Sequence, residues 1–306
     1  MATQTVAAGH PNWLGRWRAE NASELDELRR GAYRFRQSKL SIVGLAAIVF
    51  LVIVALTGQY WVPYPDDATG AVNTPERFKA PSAQHLFGTD EVGRDIFTRV
   101  VLATQTSFKA GIIILVVAIS IGVPLGSIAG YFGGRVNEII MRATDIMLTV
   151  PGIFLALSIT AALGTGVLNA MIALSITWWP GYARLVQAQV VSARENDYVQ
   201  AARSMGASHR RIIFKHILPN ILSSIIIKAS LDVGFAILNL AALGFIGVGA
   251  QPPLPEWGAM IAKGRQFLPQ YWWYSTFPGL AMFLTVFGFN MLGDGLRDVF
   301  DPRSRR

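Results

Sequence analysis

The amino-acid sequence predicts an all-α integral membrane protein with six transmembrane helices. Of the 306 residues, 52% are apolar and only 15% are charged, whereas a soluble domain normally carries about 25% charged residues. The apolar residues also form uncharged runs of 23 residues at 40–62 and 25 residues at 110–134. At about 1.5 Å per helical residue, either run can cross a hydrocarbon core of about 30 Å.

The first apolar run, at 40–62, is predicted to be the first transmembrane helix. It follows a charged stretch, and no small-residue cleavage site follows a short apolar core. We therefore expect it to stay in the membrane rather than to be removed as a signal peptide. The sequence contains no cysteine, so we expect neither disulfides nor thiolate metal sites in the framework.

Four more spans are expected after the second run. The uncharged stretch 146–183 is interrupted by Gly164-Thr-Gly166, which indicates a turn between two spans. Two spans of about 20 residues each and this turn need slightly more residues than the stretch contains. The third span must therefore begin earlier. The expected positions are a start near 138–141 for the third span, about 167–185 for the fourth, from Pro219 to near Gly249 for the fifth and about 273–296 for the sixth.

Charge asymmetry predicts the orientation of these spans. With both termini inside, the inner segments hold nineteen Lys and Arg residues and the two long outer loops hold six. The positive-inside rule therefore predicts cytoplasmic termini. The predicted organisation is a cytoplasmic tail at 1–39, an extracytoplasmic loop at 63–105, a five-helix core at 106–296 with a cytoplasmic loop at 190–218, and a cytoplasmic tail at 297–306.

The stretch 198–220 separates two apolar spans but is basic and helix-forming. It carries Arg203, Arg210, Arg211 and Lys215, so it cannot cross the membrane. Asp197 and Gln200 are expected to cap a first helix by a capping-box exchange, and Gly206 to end that helix in a left-handed conformation. A second helix is expected from about Ser208, with one apolar face formed by Ile212, Ile213 and Ile217. On physical grounds alone, the stretch could also be an amphipathic helix that lies on lipid headgroups.

Gln200-Ala-Ala, Gly206 and Ile217-Leu-Pro219 resemble the "EAA…G…I.LP" loop of ATP-binding-cassette (ABC) importer permeases. In that family the loop is a coupling helix that docks into a groove of the ATPase subunit. The first position departs from the family pattern, since this chain has Gln where Glu is usual. The resemblance implies that the ATPase-coupling residues are Gln200, Ala201, Ala202, Met205, Gly206, Arg210, Leu218 and Pro219.

Three other segments are similar to signatures of the dipeptide, oligopeptide and nickel permease group. They are FGTDEVGRD at 87–95, LGFIGVGAQPP at 243–253 with the following EWG at 256–258, and GDGLRD at 293–298 with the following DPR at 301–303. The resemblance covers about 40–303. It implies a type I ABC importer permease fold in the bacterial cytoplasmic (inner) membrane. The implied partners are a second homologous permease, two ABC ATPase subunits and an extracytoplasmic peptide-binding protein.

The predicted function is that of a non-catalytic pore subunit of a peptide importer. The chain has no GxxxxGK[ST] phosphate loop, so we expect ATP and Mg²⁺ to bind on the partner ATPase subunits and no cofactor or metal to bind here. QYWWY at 270–274 and the surroundings of Asp232 favour dipeptide and D,D-dipeptide members. A nickel chelate, glutathione or an oligopeptide remain alternative substrates. The basic residues behind the net charge of +8 lie mainly in the segments predicted to be cytoplasmic. We therefore expect the lipid bilayer as a partner and no nucleic acid.

Ionisable residues inside spans are rare and indicate function. Lys228 and Asp232 lie four residues apart on one helix face. They could pair with each other, Asp232 could line the pore and meet a peptide ammonium group, or they could contact the partner permease. Arg142 and Asp145 are expected to form an ion pair at the inner edge of the third span. A proton-coupled secondary transporter is a weaker alternative, because it needs several buried acids and only Asp145 and Asp232 are available.

The outer segments contain two further candidate sites. Asp90, Arg94 and Asp95 lie in turn-forming sequence, where they could stabilise the loop or dock the binding protein. The second candidate is the outer mouth, whose predicted residues are Gln251, Pro252, Pro253 and Trp257. Gly244, Gly247 and Gly249 nearby are expected to permit close helix packing.

Overall fold

The computed structural model of the protein describes residues 31, 33 and 35–300. Most of the predicted tails, at 1–39 and 297–306, lies outside these residues. In the described part of the chain the regular elements are helices, and the one β-bridge joins Thr89 to Asp95. The all-α prediction is therefore confirmed.

Nine helices are formed by the described residues. Their bounds are α1 Lys39–Thr57, α2 Ile96–Phe132, α3 Gly134–Thr149, α4 Gly152–Leu163, α5 Val167–Arg194, α6 Asp197–Ser204, α7 His209–Ile246, α8 Trp257–Gly264 and α9 Trp273–Phe300. One π-helical segment, Ile212–Ile217, lies within α7. Short 3₁₀ turns occupy Gly58–Tyr60, Pro65–Ala68, Thr74–Glu76 and Arg265–Phe267.

Four of these helices, α1, α2, α7 and α9, are long and apolar enough to cross a membrane. The pair α3 and α4 would form a fifth span if it is counted as one bent unit. Helix α5 has 28 residues, but the polar Asn169 and the Trp178-Trp179-Pro180 sequence make it less apolar than the other four. The count of six spans therefore stays a prediction.

The segment predicted as the third span is not one continuous helix. It is broken between α3 and α4, whose axes meet at 86°. The break occurs at Val150, which has extended backbone angles (φ −92°, ψ 129°), and at Pro151. Proline disfavours a helical conformation in the residue before it and has no N–H to donate, so the hydrogen-bond ladder stops there.

The second long helix begins much earlier than the apolar run does. Helix α2 starts at Ile96 because the Asp95 side chain accepts a hydrogen bond from the backbone N–H of Thr98 (2.7 Å) and caps the helix. The last ten residues of the predicted extracytoplasmic loop at 63–105 are therefore helical, and the bounds of that loop stay a prediction. The sequence signal for this start was present, because Asp is a preferred N-cap residue.

Helices α2 and α5 make the most extensive contact among the described helices. Three glycines spaced four residues apart on α2 face α5. A Cβ atom on Gly122 would lie 2.5 Å from the carbonyl oxygen of Trp179, and one on Gly130 would lie 2.7 Å from that of Gln187. The middle glycine, Gly126, is equally close to the α5 backbone. Small residues at this spacing allow helix backbones to touch inside a membrane.

The end of α7 is shaped by the glycines that the sequence singled out. A Cβ on Gly244 would lie 2.5 Å from Glu256 Oε2, and one on Gly249 would lie 2.7 Å from the backbone of Gly244. Gly247 has a left-handed conformation (φ +98°) and ends the helix. The prediction of close helix packing is confirmed for Gly244, which approaches α8, whereas Gly247 caps α7 and Gly249 folds back against the end of α7.

The predicted orientation can be tested with single cysteines, because the chain contains none. Ser82 in the loop before α2 and Ser204 at the end of α6 are both exposed. We expect a membrane-impermeant thiol reagent to label Ser82→Cys in intact cells and to label Ser204→Cys only after permeabilisation. The reverse pattern would show that the orientation is inverted.

Candidate functional site

The predicted ATPase-coupling segment folds as two helices, α6 and the start of α7, joined by a turn. The capping box expected at Asp197 is wrong, because the N-cap residue is Asn196 (φ −72°, ψ 148°) and Asp197 already lies in the first helical turn. Its negative charge there is favourable next to the helix N-terminus. Gln200 instead donates from Nε2 to the carbonyl oxygen of Arg194 (3.1 Å). A glutamate, the usual family residue, could not make this donation.

The turn between the two helices has the predicted left-handed glycine. Gly206 has φ +79°, and no described atom lies within 4 Å of the position a Cβ would take. Ala207 donates its N–H to the carbonyl oxygen of Ala202 (3.1 Å), which closes the end of α6. The Ser208 side chain then accepts from the N–H of Arg211 (3.4 Å), so α7 begins where the sequence predicts.

The two helices have one buried face and one exposed face. Val199, Ala202, Ile212, Ile213 and Ile217 are buried in the main apolar core. The predicted contact residue Ala202 is therefore not available to a partner, since only 3% of it is exposed.

The exposed polar residues of α6 are Asp197, Arg203 and Ser204. The apolar part of its exposed surface consists of Tyr198, Ala201 and the C-cap residue Met205, at positions i, i+3 and i+7. Met205 is 81% exposed. We call this set the α6 outer face. Among the other predicted coupling residues, Gln200 and Leu218 are half-buried, and Gly206, Arg210 and Pro219 are exposed.

Contacts with the end of α2 hold this segment in position. Tyr131 and His209 are hydrogen-bonded (hydroxyl to Nδ1, 2.9 Å). The guanidinium of Arg203 lies 5.7 Å from the centre of the Tyr131 ring, and Arg194 donates from Nη1 to the carbonyl oxygen of Gly130 (2.9 Å). Sequence spacing does not predict these contacts, because they join positions far apart in the chain.

The turn at 87–95 is stabilised by a buried ionic cluster. Asp90 is fully buried and accepts from Arg94 Nε (2.6 Å), from the Arg94 N–H (2.9 Å) and from the Val92 N–H (3.0 Å). Asp95 is also buried and contacts His85 Nδ1 (2.9 Å). The structure therefore supports the alternative in which these side chains stabilise the loop from within, and docking of the binding protein on Asp90, Arg94 and Asp95 stays a prediction.

The same cluster joins the two outer segments. Arg99 donates from Nη1 to the carbonyl oxygens of Asp67 (2.7 Å) and Pro253 (3.3 Å). Burial raises the pKa of the Asp67 carboxyl above its usual value, and the N–H of Asp95, which donates to Oδ2 (2.7 Å), opposes that rise. The segment before α2 and the segment after α7 therefore form one connected outer structure.

The predicted outer mouth is only partly available to a partner. Gln251, Pro252 and Pro253 are exposed, so they remain candidates for contact with a substrate or binding protein. Trp257 is fully buried and donates from Nε1 to the carbonyl oxygen of Val100 (3.1 Å), so its assignment to the mouth is wrong. Glu256 before it caps α8 by accepting from two backbone N–H groups (2.9 Å each). Burial raises the pKa of its carboxyl against these donors.

The intramembrane residues Lys228 and Asp232 form an ion pair. Lys228 Nζ lies 3.0 Å from Asp232 Oδ2, and Trp178 on α5 donates from Nε1 to the same oxygen (3.1 Å). Tyr182, one turn along α5, is fully buried beside them, and Lys228 Nζ lies 5.1 Å from the centre of its ring. The predicted pairing is confirmed.

The ion pair expected between Arg142 and Asp145 is wrong. Arg142 donates to Glu138 one turn earlier on α3 (2.7 Å), and Asp145 contacts Arg184 on α5. Both pairs are exposed to solvent in this chain. Residues four apart on a helix are as close as residues three apart, so Arg142 can reach Glu138 as easily as Asp145. The contact between Asp145 and Arg184 joins two helices, and spacing within α3 does not predict it.

Two sequence-family profiles match this chain. The family described as "Binding-protein-dependent transport system inner membrane component" matches residues 122–306. The family described as "N-terminal TM domain of oligopeptide transport permease C" matches residues 28–81. The first match contains α3 to α9, with the α6 outer face and the Lys228–Asp232 pair, and the second contains α1.

Curated relatives match along most of the chain. The chain is 47% identical to the probable D,D-dipeptide transport system permease protein DdpC of Escherichia coli (strain K12), over 85% of this chain and 86% of that protein. It is 45% identical to the dipeptide transport system permease protein DppC of Alkalihalophilus pseudofirmus, over 90% of each. It is 41% identical to the glutathione transport system permease protein GsiD of Pectobacterium atrosepticum, over 88% of this chain and 89% of that one.

Solved structures with the same fold come from a transporter of another substrate. Two inward-facing crystal forms of the MetNI methionine ABC transporter match with TM-scores of 0.55 and 0.56 at 17% and 18% identity. The matches cover 66% and 67% of this chain and 97% and 98% of the matched chains. At this identity they show the fold alone, and they confirm the predicted ABC importer permease architecture.

The buried cluster predicts that two acids of the same outer loop differ in importance. Asp90→Ala should leave the cations of Arg94 and Arg99 buried without their carboxylate, a change that typically costs about 3–5 kcal/mol of stability. Asp66→Ala removes an exposed acid and should cost little. The measurement is thermal unfolding of the purified protein in mild detergent. Equal stability of the two variants would show that Asp90 does not support the loop.

Proposed function

The chain belongs to the family of binding-protein-dependent transport system inner membrane components, and we propose that it is the permease subunit of an importer of short peptides. The permease function follows from family membership, and the peptide substrate from relatives whose names specify D,D-dipeptides, dipeptides and glutathione. These three substrates share a short peptide backbone with charged ends. Dipeptides are our first choice of substrate, and glutathione is the second.

The observation that best supports coupling to an ATPase is the α6 outer face. Tyr198, Ala201 and Met205 form a small, exposed and mostly apolar surface on a short helix. An exposed apolar surface of this kind is typical of a contact with another protein. A flexible methionine side chain beside a small alanine can adapt to a groove on that protein. We propose that an ATPase subunit binds this face.

The connections of α6 explain how movement would reach the membrane. Helix α6 is joined to α5 by the Gln200–Arg194 hydrogen bond, and it leads through the Gly206 turn into α7, which is continuous over 38 residues. A displacement of α6 by closing ATPase subunits would therefore tilt α5 and α7. Such rigid-body motion of packed helices is a common way to switch between two states.

The proposed assembly has two permeases, two ATPase subunits and an extracytoplasmic binding protein. ATP and Mg²⁺ would bind on the ATPase subunits, because this chain has no phosphate loop of the GxxxxGK[ST] type. This chain would act without catalytic residues, as half of the pore. Gln251, Pro252 and Pro253 are the exposed outer residues that could meet the binding protein or its released peptide.

A proton-coupled mechanism has less support. Asp232 is paired with Lys228 inside the membrane, and Asp145 contacts the exposed Arg184 on the surface of the chain. The two acids belong to separate ion pairs rather than to one relay.

The coupling role predicts the effect of two substitutions. Gly206→Val puts a branched side chain at φ +79° and should misorient α6, with a local cost of about 1 kcal/mol or more. Ala201→Glu puts a long charged side chain on the α6 outer face. Both should leave insertion and assembly with the second permease intact, yet weaken ATPase binding and abolish most uptake. The measurements are pull-down of the ATPase subunits and peptide uptake by proteoliposomes.

Matched controls separate coupling from general damage. Gly164→Val imposes a similar backbone strain (φ +97°) in the turn between α4 and α5, and Ala201→Ser changes the outer face very little. Both controls should retain the ATPase subunits. If Gly206→Val and Ala201→Glu kept full ATPase binding and uptake, the segment would be a linker on the membrane surface.

A further inference from the structure

The Lys228–Asp232 pair lies deep inside the membrane region of the chain. The fifth span is predicted to begin at Pro219, so Lys228 lies nine residues, or roughly 14 Å, inside it. A lysine side chain can extend part of that distance towards the headgroups, but the short side chain of Asp232, one turn deeper, cannot. The pair must therefore be stabilised by protein groups or by a water-filled pathway.

One side of the pair is open. The Lys228 side chain is 32% exposed, whereas the Asp232 side chain is 12% exposed. Lys228 lies across Gly181 of α5, where an added Cβ would be 3.9 Å from Nζ. Contact of this open side with lipid tails would be costly for an ammonium group. The open side therefore faces the transport pathway or the boundary between the two permeases, which encloses that pathway.

The pair also has spare hydrogen-bonding capacity. Lys228 and Trp178 both contact the same oxygen of Asp232, Oδ2, which leaves Oδ1 available as an acceptor. The Tyr182 hydroxyl is buried next to the Asp232 carboxylate, close enough to interact with it but without a hydrogen bond of normal geometry. A buried hydroxyl without such a bond is unusual in a site that serves packing alone.

We propose that Lys228, Asp232, Trp178 and Tyr182 form a transient binding site for the charged ends of a short peptide in transit. This inference rests on the proposed function, a peptide importer. The peptide ammonium group would bind Asp232, and the peptide carboxylate would bind Lys228, whose ammonium group lies against the buried Tyr182 ring. Trp178 holds the Asp232 carboxylate in place from α5.

An internal ion pair is suited to a site of passage. Without peptide, Lys228 and Asp232 neutralise each other, so the empty pathway contains no unpaired charge. With peptide, one ion pair is exchanged for two, and the site still carries no net charge. The net binding free energy of the peptide is small because the Lys228–Asp232 pair is lost when the peptide binds. Weak binding suits a transport site, which must release its substrate.

The first test removes both charges together. In Lys228→Met with Asp232→Asn, neither charge is left unpaired, and Asn can still accept from Trp178. The complete transporter, with its second permease, ATPase subunits and binding protein, is reconstituted in proteoliposomes. We expect normal assembly, ATP hydrolysis stimulated by the loaded binding protein, and dipeptide uptake reduced at least tenfold. The matched control is Asn239→Leu on the same helix, which should transport normally because Asn239 donates only to its own helix.

The second test detects occupancy of the site directly. Gly181→Cys introduces a single thiol beneath Lys228, and Leu238→Cys introduces one at an exposed position further along α7. In the reconstituted transporter, a dipeptide delivered by the binding protein should slow labelling of Cys at 181 by a small, charged methanethiosulfonate reagent. The dipeptide should not slow labelling at 238.

The outcomes separate this inference from the proposed function. Peptide uptake by the unmodified transporter together with normal uptake by the double variant would overturn the binding site and leave the importer intact. Absence of peptide uptake by the unmodified transporter would overturn the proposed function itself. If the double variant fails to assemble, the labelling decides, and absence of protection at residue 181 assigns the pair to folding alone.

Discussion

The backbone contact between α2 and α5 is the constraint on which the rest of the structure depends. Gly122, Gly126 and Gly130 allow the two helices to touch along two turns. Lipid tails provide no hydrophobic driving force between helices, so close packing of small residues is a main source of association in membranes. A larger side chain at any of the three positions would collide with carbonyl groups of α5 and separate the helices.

Both candidate sites take their positions from this contact. At one end, Tyr131 directly after the third glycine bonds to His209, and Arg194 at the end of α5 bonds to Gly130. Together they fix the α6 outer face. In the middle, α5 carries Trp178 and Tyr182, and these residues meet the ion pair of α7. A shift of α5 against α2 would therefore alter the coupling segment and the intramembrane site together.

The outer structure follows a different principle, since it depends on buried charge. Asp90 pairs with Arg94, and its Oδ2 lies 3.9 Å from Arg99 Nε. Asp95 contacts His85 and caps α2. Removing one member of such a cluster leaves a buried charge without its partner, and the cluster connects segments that have little regular structure. The movable parts proposed here, α5 to α7, thus lie beneath an outer layer that is connected by hydrogen bonds to α2 and to the segment after α7.

The sequence by itself determined the class of protein, the positions of most helices and the turn at Gly206. These features are local, because uncharged length, capping residues and left-handed glycines act within a few residues. It also placed Lys228 and Asp232 within reach of each other, since four residues on a helix define a distance. The bend at Pro151 and the early start of α2 after Asp95 have local signals as well, a proline and an N-cap residue, although the long apolar runs alone predict neither.

Only the tertiary structure decided which residues of each motif are available for contact. Asp90, Arg94, Asp95, Ala202 and Trp257 lie in recognisable motifs, yet all are buried, because burial depends on elements far away in the chain. The Asp145–Arg184 and Tyr131–His209 contacts join different helices, and no spacing rule predicts them. The intramembrane site likewise has one part that depends on local sequence and another that depends on tertiary contacts. Helix periodicity alone determines the ion pair, whereas Trp178 and Tyr182 join it only because the glycines of α2 position α5 beside α7.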